Sequence, residues 1–223
     1  MKFLKAIYRW RFHIFFFSQL LVLFGSLLVP FEKILLEAEA LHKLVLSLFM
    51  LGNLIAGLTI IFRRKKLFYF LISLIVIELL LALQPWLFSF LDNLRVALFV
   101  ILYLVLFVEI ISQIIQEQKV GVRVILGMFS GYVTLGFIGL FLLQLIMQGN
   151  PDAISFSRDI PGTTPGDGSQ LMYFSFITLL TIGYGDIVPN SMLAQKTVVL
   201  LGLAGQFYLT TVIAFIVGKY LRD

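Results

Sequence analysis

From Phe12 to Val217 the chain repeatedly runs for about twenty residues with hardly a charge, and a short charged or polar cluster closes most of these runs. Without water, backbone groups inside such a run have only protein partners, which restricts the chain to membrane-crossing helices or a closed barrel. The runs extend approximately from Phe12 to Val29, Leu44 to Phe62, Leu67 to Leu83, Val96 to Ile115, Val122 to Met147 and Thr197 to Val217. None alternates apolar with polar residues as a barrel strand does, and each has roughly the length that a helix needs to cross a hydrocarbon core. The expected fold class is an all-α membrane protein with six transmembrane helices. Composition agrees, since 60% of residues are hydrophobic and 13% charged, against about half and a quarter in soluble domains.

The chain has 17 Lys and Arg against 12 Asp and Glu, a net charge of +5, which in a soluble protein would raise the question of nucleic acid. Position answers it. With the N-terminus inside, Lys2, Lys5, Arg9, Arg11, Arg63, Arg64, Lys65, Lys66, Lys119, Arg123, Lys219 and Arg222 all fall on the cytoplasmic side. Lys33, Lys43, Arg158 and Lys196 fall outside, and Arg95 near the outer start of the fourth run. This bias predicts cytoplasmic termini and accounts for the basic charge without nucleic acid; the expected location is the plasma membrane of a prokaryotic cell, with membrane lipid as a partner. The Arg63–Lys66 run reads as a topology anchor rather than a lipid-headgroup site. Lys2, Lys5, Arg9 and Arg11 before an apolar stretch imitate a secretory signal, but the run is long for one and ends in Leu-Val-Pro without a small-residue cleavage site. With no cysteine, there is neither a disulfide framework nor a thiolate metal site.

The two halves differ in character. Residues 1–116 read as a four-helix transmembrane domain and 117–223 as a second domain, joined at the polar stretch Gln116-Glu117-Gln118-Lys119. After the fifth run, the segment from Gln148 to about Gln170 is rich in Gly, Pro, Ser, Thr and Asp and reads as a loop. It is followed by Leu171 to Leu180, apolar but too short to span, and then by Thr181-Ile182-Gly183-Tyr184-Gly185-Asp186-Ile187-Val188-Pro189. A half-length apolar helix and a glycine-bearing turn between two full spans describe a re-entrant segment, tolerated at membrane depth where it lines an aqueous path.

Tyr173 to Leu180 followed by Thr181 to Asp186 resembles the pore helix and selectivity filter of the potassium channel family, in a six-span layout like that of its voltage-gated members. Gly183 and Gly185 can adopt positive φ at little cost, which lets adjacent carbonyls turn toward one axis. The resemblance implies that the carbonyls of Thr181, Ile182, Gly183 and Tyr184, ending at Gly185, with the Thr181 hydroxyl, replace the hydration shell of K⁺. One strand cannot surround an ion, so a homotetramer with fourfold symmetry is implied. The 117–223 domain then becomes a pore domain of outer helix, turret loop, pore helix, filter and inner helix. The C-terminal end of the short helix, with about half a negative elementary charge, would favour a cation below the filter. The resemblance also places Tyr173, Phe174, Thr178 and Asp186 in support of the filter. The pattern departs from many members at Leu180, where they have a second Thr, and at Ile177, where some have an acidic partner for the Asp. Gly205, twenty residues past Gly185, falls where the family has an inner-helix hinge; for it and Gly202 bending and close packing are both open. Gly127, Gly131, Gly136 and Gly139 read as close-packing positions on the fifth helix.

The fourth run carries one arginine, Arg95, whereas steep voltage gating takes three to four charges per subunit, each worth about 2.3 kcal/mol per 100 mV. Weak or absent voltage dependence is expected. Glu78 and Glu109 are intramembrane carboxylates; Glu78 is expected to pair with Arg95, and Glu109 has no evident partner. His13 and His42 read as incidental. Glu32, Glu37, Glu39, Asp92, Asp152, Asp159, Asp167 and Asp186 give the outer side an acidic excess that could concentrate cations. Trp10 and Trp86 fall near opposite membrane faces. No sensing domain is expected after Val217, so lipid, pH, tension or a separate regulatory subunit would set the gate.

The function expected is passive K⁺ conduction, with K⁺ as the permeant ion and no cofactor. The alternatives are a non-conducting modulatory subunit of another channel, or a subunit of a K⁺ uptake transporter; such transporters carry four pore repeats in one chain with a looser filter. No nucleophile with a base, zinc-ligand spacing or phosphate loop points to an enzyme.

Overall fold

The computed structural model describes residues 2–28, 39–83, 92–117, 119–157 and 166–220, of which the side chains of 2–7, 26–28, 39–47, 78, 81–83 and 220 lie outside the description. The helices α1 (Lys2–Leu28), α2 (Glu39–Ile61), α3 (Lys65–Leu83), α4 (Asp92–Gln116), α5 (Val122–Gly149), α6 (Gly168–Leu179) and α7 (Met192–Tyr220) make the fold all-α but for one short ladder. In that ladder β1 (Ile154–Phe156) pairs antiparallel with β2 (Ile187–Pro189), Ser155 standing opposite Val188. Among the described residues three helices are long and apolar enough to cross a membrane: Asp92–Gln116, Val122–Gly149 and Met192–Lys219. The other three apolar runs also lie on helices, α1 beginning ten residues before Phe12 because the charged N-terminal stretch is itself helical.

The chain divides into two compact units, residues 1–75 with 108–130 and residues 76–107 with 131–223. In the first, α1 lies along α2, where Asn53 donates to Ser18 Oγ at 2.9 Å and Gly25 leaves room for the ring of Phe49. Gln19, fully buried, donates to the Ser130 carbonyl at 3.1 Å. This unit also holds a buried polar network. Arg11, 4% exposed, donates to Gln113 Oε1 (2.6 Å), the Tyr8 carbonyl (3.0 Å) and Glu117 Oε1 (3.1 Å), with its guanidinium over the rings of Tyr8 and Phe12. Gln113 in turn donates to the Ile60 carbonyl and to Glu109, whose other oxygen lies 3.0 Å from Arg64 Nε. Arg64 is thus the partner of Glu109 that sequence alone does not name, and Arg63 stacks on Tyr8. Buried charges persist in this way, hydrogen-bonded and matched.

In the second unit the core is aromatic: Tyr103 packs between Phe137 and Phe141, and Phe141 stacks on Phe99. Arg95 lies 3.6 Å from Asp92, one turn earlier on α4; the side chain of Glu78, its expected partner, is outside the described residues, as are Glu32, Glu37, Trp86, Asp159 and the side chains of Glu39 and His42. In the segment expected to be a loop after α5, residues 151–157 carry backbone hydrogen bonding. A single 3-10 turn, Pro151–Ala153, is capped by Asn150 and leads into β1, and the Ala153 carbonyl accepts from the N–H groups of Asn190 and Ser191.

Candidate functional site

The short helix α6 starts where Asp167 caps it, accepting from Gln170 N at 2.9 Å and from Ser169 Oγ at 2.7 Å. Gln170 reaches back to Gly166 N at 3.0 Å, so two orphan backbone donors are satisfied reciprocally. The helix buries Leu171, Phe174, Ser175, Ile177 and Leu179. It can lie close to α5 because Gly136 and Gly139 face it: a Cβ at Gly136 would run into the Phe176 ring, and Ser175 Oγ donates to the Gly136 carbonyl at 2.7 Å. Phe137 meets Phe176 edge-on.

Three elements converge on the C-terminal end of α6. Tyr132 of α5 donates its hydroxyl to the Leu179 carbonyl at 2.9 Å. From α7, Gly205 faces the same carbonyl so closely that a Cβ there would stand 2.9 Å from the oxygen and 2.8 Å from Leu179 Cδ1. Tyr208, one turn further, packs on Tyr132 with its hydroxyl against Gly131. Gly205 is therefore a close-packing position, whereas a Cβ at Gly202 would meet nothing within 4 Å.

From this anchored end the chain leaves through Leu180 into residues 181–185. The Thr181 N–H is held by the Thr178 carbonyl (3.0 Å) and the Ile182 N–H by the Ile177 carbonyl (2.8 Å). Thr181, Gly183 and Gly185 have φ of +58°, +57° and +79°, with Ile182 and Tyr184 between them on the negative side. The sequence predicts the two glycines in this region; Thr181 is a β-branched residue held where such residues rarely sit, at a cost of about 1–3 kcal/mol, and no sequence signal marks it. All five residues are exposed, Tyr184 by 71%. Past them, Tyr173 donates its hydroxyl to Asp186 Oδ2 at 2.8 Å, and the Asp186 carbonyl accepts from Ser157 N at 2.8 Å. Asp186 Oδ1 is buried without a hydrogen-bond partner among the described residues. The structure thus brings Tyr173 and Thr178 into direct contact with the segment or its exit, and Phe174 is buried on α6. Tyr132, Ser175 and the β1–β2 ladder, all of which position this segment, carry no sequence signal of their own. The Asp167-x-x-Gln170 spacing does, as a capping pattern that fixes the start of α6.

Residues 127–222 match the family model described as ion channel. The match supports an ion channel family. It covers most of α5, all of α6, residues 181–185 and all of α7, and it speaks for a membrane transport protein rather than an enzyme. No curated protein and no solved structure matches the chain.

Proposed function

We infer that the chain is one subunit of a K⁺-selective channel, with residues 181–185 as its filter. The observation that carries this reading is the alternation of φ sign from Thr181 to Gly185. Residues of alternating hand align successive peptide groups, amides to one side and carbonyls to the other, and a line of carbonyls is what a dehydrated K⁺ requires. The segment is exposed in the single chain, and α7 buries only a narrow stripe, Ala194, Leu201, Gly205 and Tyr208, while Leu200, Phe207 and Ile213 are each more than 60% exposed. Four copies around an axis would cover both surfaces and close the ring of oxygens. α1, α2 and α3 supply the other three of six spans, with both termini cytoplasmic.

The test is flux through the purified protein in liposomes. A current reversing near the K⁺ equilibrium potential is expected; Na⁺ passing as readily, or no flux in repeated preparations of intact tetramer, would refute the assignment.

A further inference from the structure

We propose that the first unit holds a binding site for a phosphate-bearing anion, in a cavity of about 680 Å³ beside the start of α5. Its walls include Arg9, Trp10 and His13 from α1, Glu117 and Lys119 from the connection after α4, and Arg123 from the first turn of α5. The volume falls in the range of sites for small organic ligands, roughly 300–1,000 Å³.

Charge selects the ligand. Arg9, Lys119 and Arg123 are exposed to the cavity side and form no ion pair among the described residues. Glu117, the one carboxylate in the wall, is already matched by Arg11 at 3.1 Å. Three separated cations with one neutralised acid suit an anion that offers several oxygens, and arginine pairs with phosphate through two parallel hydrogen bonds. Two further features point the same way. His13 Nδ1 is buried and has no hydrogen-bond partner among the described residues, and a buried ring nitrogen is ordinarily satisfied. The Val124 and Ile125 N–H groups turn to the Gly121 carbonyl at 2.9 and 3.2 Å, so the amides of Val122 and Arg123 are the first of α5 and have no acceptor within the helix. The positive end of a 28-residue helix faces the cavity with them. Trp10, edge-on to His13 at 4.7 Å, adds an apolar wall against which the carbon part of a headgroup can lie.

A lipid headgroup and a free phosphate share this chemistry, and binding measurements on the full-length protein in detergent separate them. Native mass spectrometry counts bound dioctanoyl phosphatidylglycerol against zwitterionic dioctanoyl phosphatidylcholine, and equilibrium dialysis measures inorganic phosphate. Saturable binding of the anionic lipid alone identifies a membrane headgroup as the occupant, and saturable phosphate binding identifies a soluble one; either supports the site. Arg9→Gln and Arg123→Gln, exposed and without ion-pair partners among the described residues, should each weaken binding by about tenfold, the worth of one charge-assisted contact. Lys66→Gln, an exposed cation outside the cavity, should leave it unchanged. Binding of neither probe, equal uptake of the zwitterionic lipid, or equal weakening by Lys66→Gln would overturn the proposal.

Discussion

Two glycines three residues apart on α7 should respond to the same substitution with opposite sign. A methyl group at Gly202 meets nothing within 4 Å, so Gly202→Ala gains only the helix propensity difference, about 1 kcal/mol of stability. At Gly205 the same gain is opposed, because the new Cβ would stand 2.9 Å from the Leu179 carbonyl oxygen. That oxygen cannot rotate away: it belongs to the last turn of α6 and accepts the Tyr132 hydroxyl at 2.9 Å. Relief requires a shift of α6 against α7 by a few tenths of an ångström, and overpacking of this kind costs about 1–3 kcal/mol. Gly205→Ala should therefore be less stable than Gly202→Ala by that amount, or roughly 2–12 °C in the melting temperature for a chain of this size. Thermal unfolding of the two purified variants in one detergent gives the difference directly. Adding Leu179→Ala, which removes Cδ1 but keeps the carbonyl, should not restore Gly205→Ala. If the two glycine variants melt together, or if the added Leu179→Ala rescues, the backbone contact is not what requires glycine, and the hinge reading of Gly205 regains its place.

Gly183→Ala should degrade K⁺ over Na⁺ preference without preventing membrane insertion; a Cβ there meets nothing within 4 Å, so the cost is that of forcing φ +57° on an L-residue, about 1–2 kcal/mol, and an unchanged reversal potential would contradict it. Tyr132→Phe keeps the ring and deletes the donor to Leu179, so it should lose about 0.5–1.5 kcal/mol in thermal or denaturant unfolding; no loss would show the hydroxyl to be idle. Arg64→Gln leaves Glu109, 7% exposed, with Gln113 as its remaining partner among the described residues, and should cost about 1–3 kcal/mol, most of it recovered in the double variant with Glu109→Gln; an additive double variant would refute the pairing.

The helices were legible because charged breaks punctuate apolar runs, and that signal is local. It put the boundaries of α4 and α5 within a few residues but missed the helical stretch before Phe12. Nothing local distinguishes a charged tail from a helix whose Arg11 is buried by Gln113 and Glu117, more than a hundred residues further on. The same limit hid β1. Three residues in a Gly- and Pro-rich segment become a strand because Ile187–Pro189 lies alongside them, a pairing no window of sequence contains. At the candidate site the backbone conformation legible from residue type alone was that of the two glycines, both of which have positive φ. Thr181 shares their conformation without sharing their chemistry, so its positive φ was not legible although the residue itself was named, and Tyr132, which acts through a single hydrogen bond from another helix, could not be found from its neighbours.

The charges of α4 explain why the first four helices should respond little to voltage. A sensor needs charge that travels with one helix and is unmatched along its path. Arg95, the one cation of α4 inside the apolar run or at its edge, lies 3.6 Å from Asp92 on the same helix, so any displacement of α4 carries both and moves little net charge. Glu109 is the remaining charge in the run, and it is held from another element by Arg64 at 3.0 Å, so moving it breaks a buried contact. Even a full crossing of that single charge is worth only about 2.3 kcal/mol per 100 mV, comparable to the contact it would sacrifice. α4 therefore offers voltage at most one lever, and that lever is tied down. Conductance–voltage curves from the reconstituted protein should give an effective gating charge below about one per subunit, and a value of several would mean that α4 moves charges the static arrangement shows as paired.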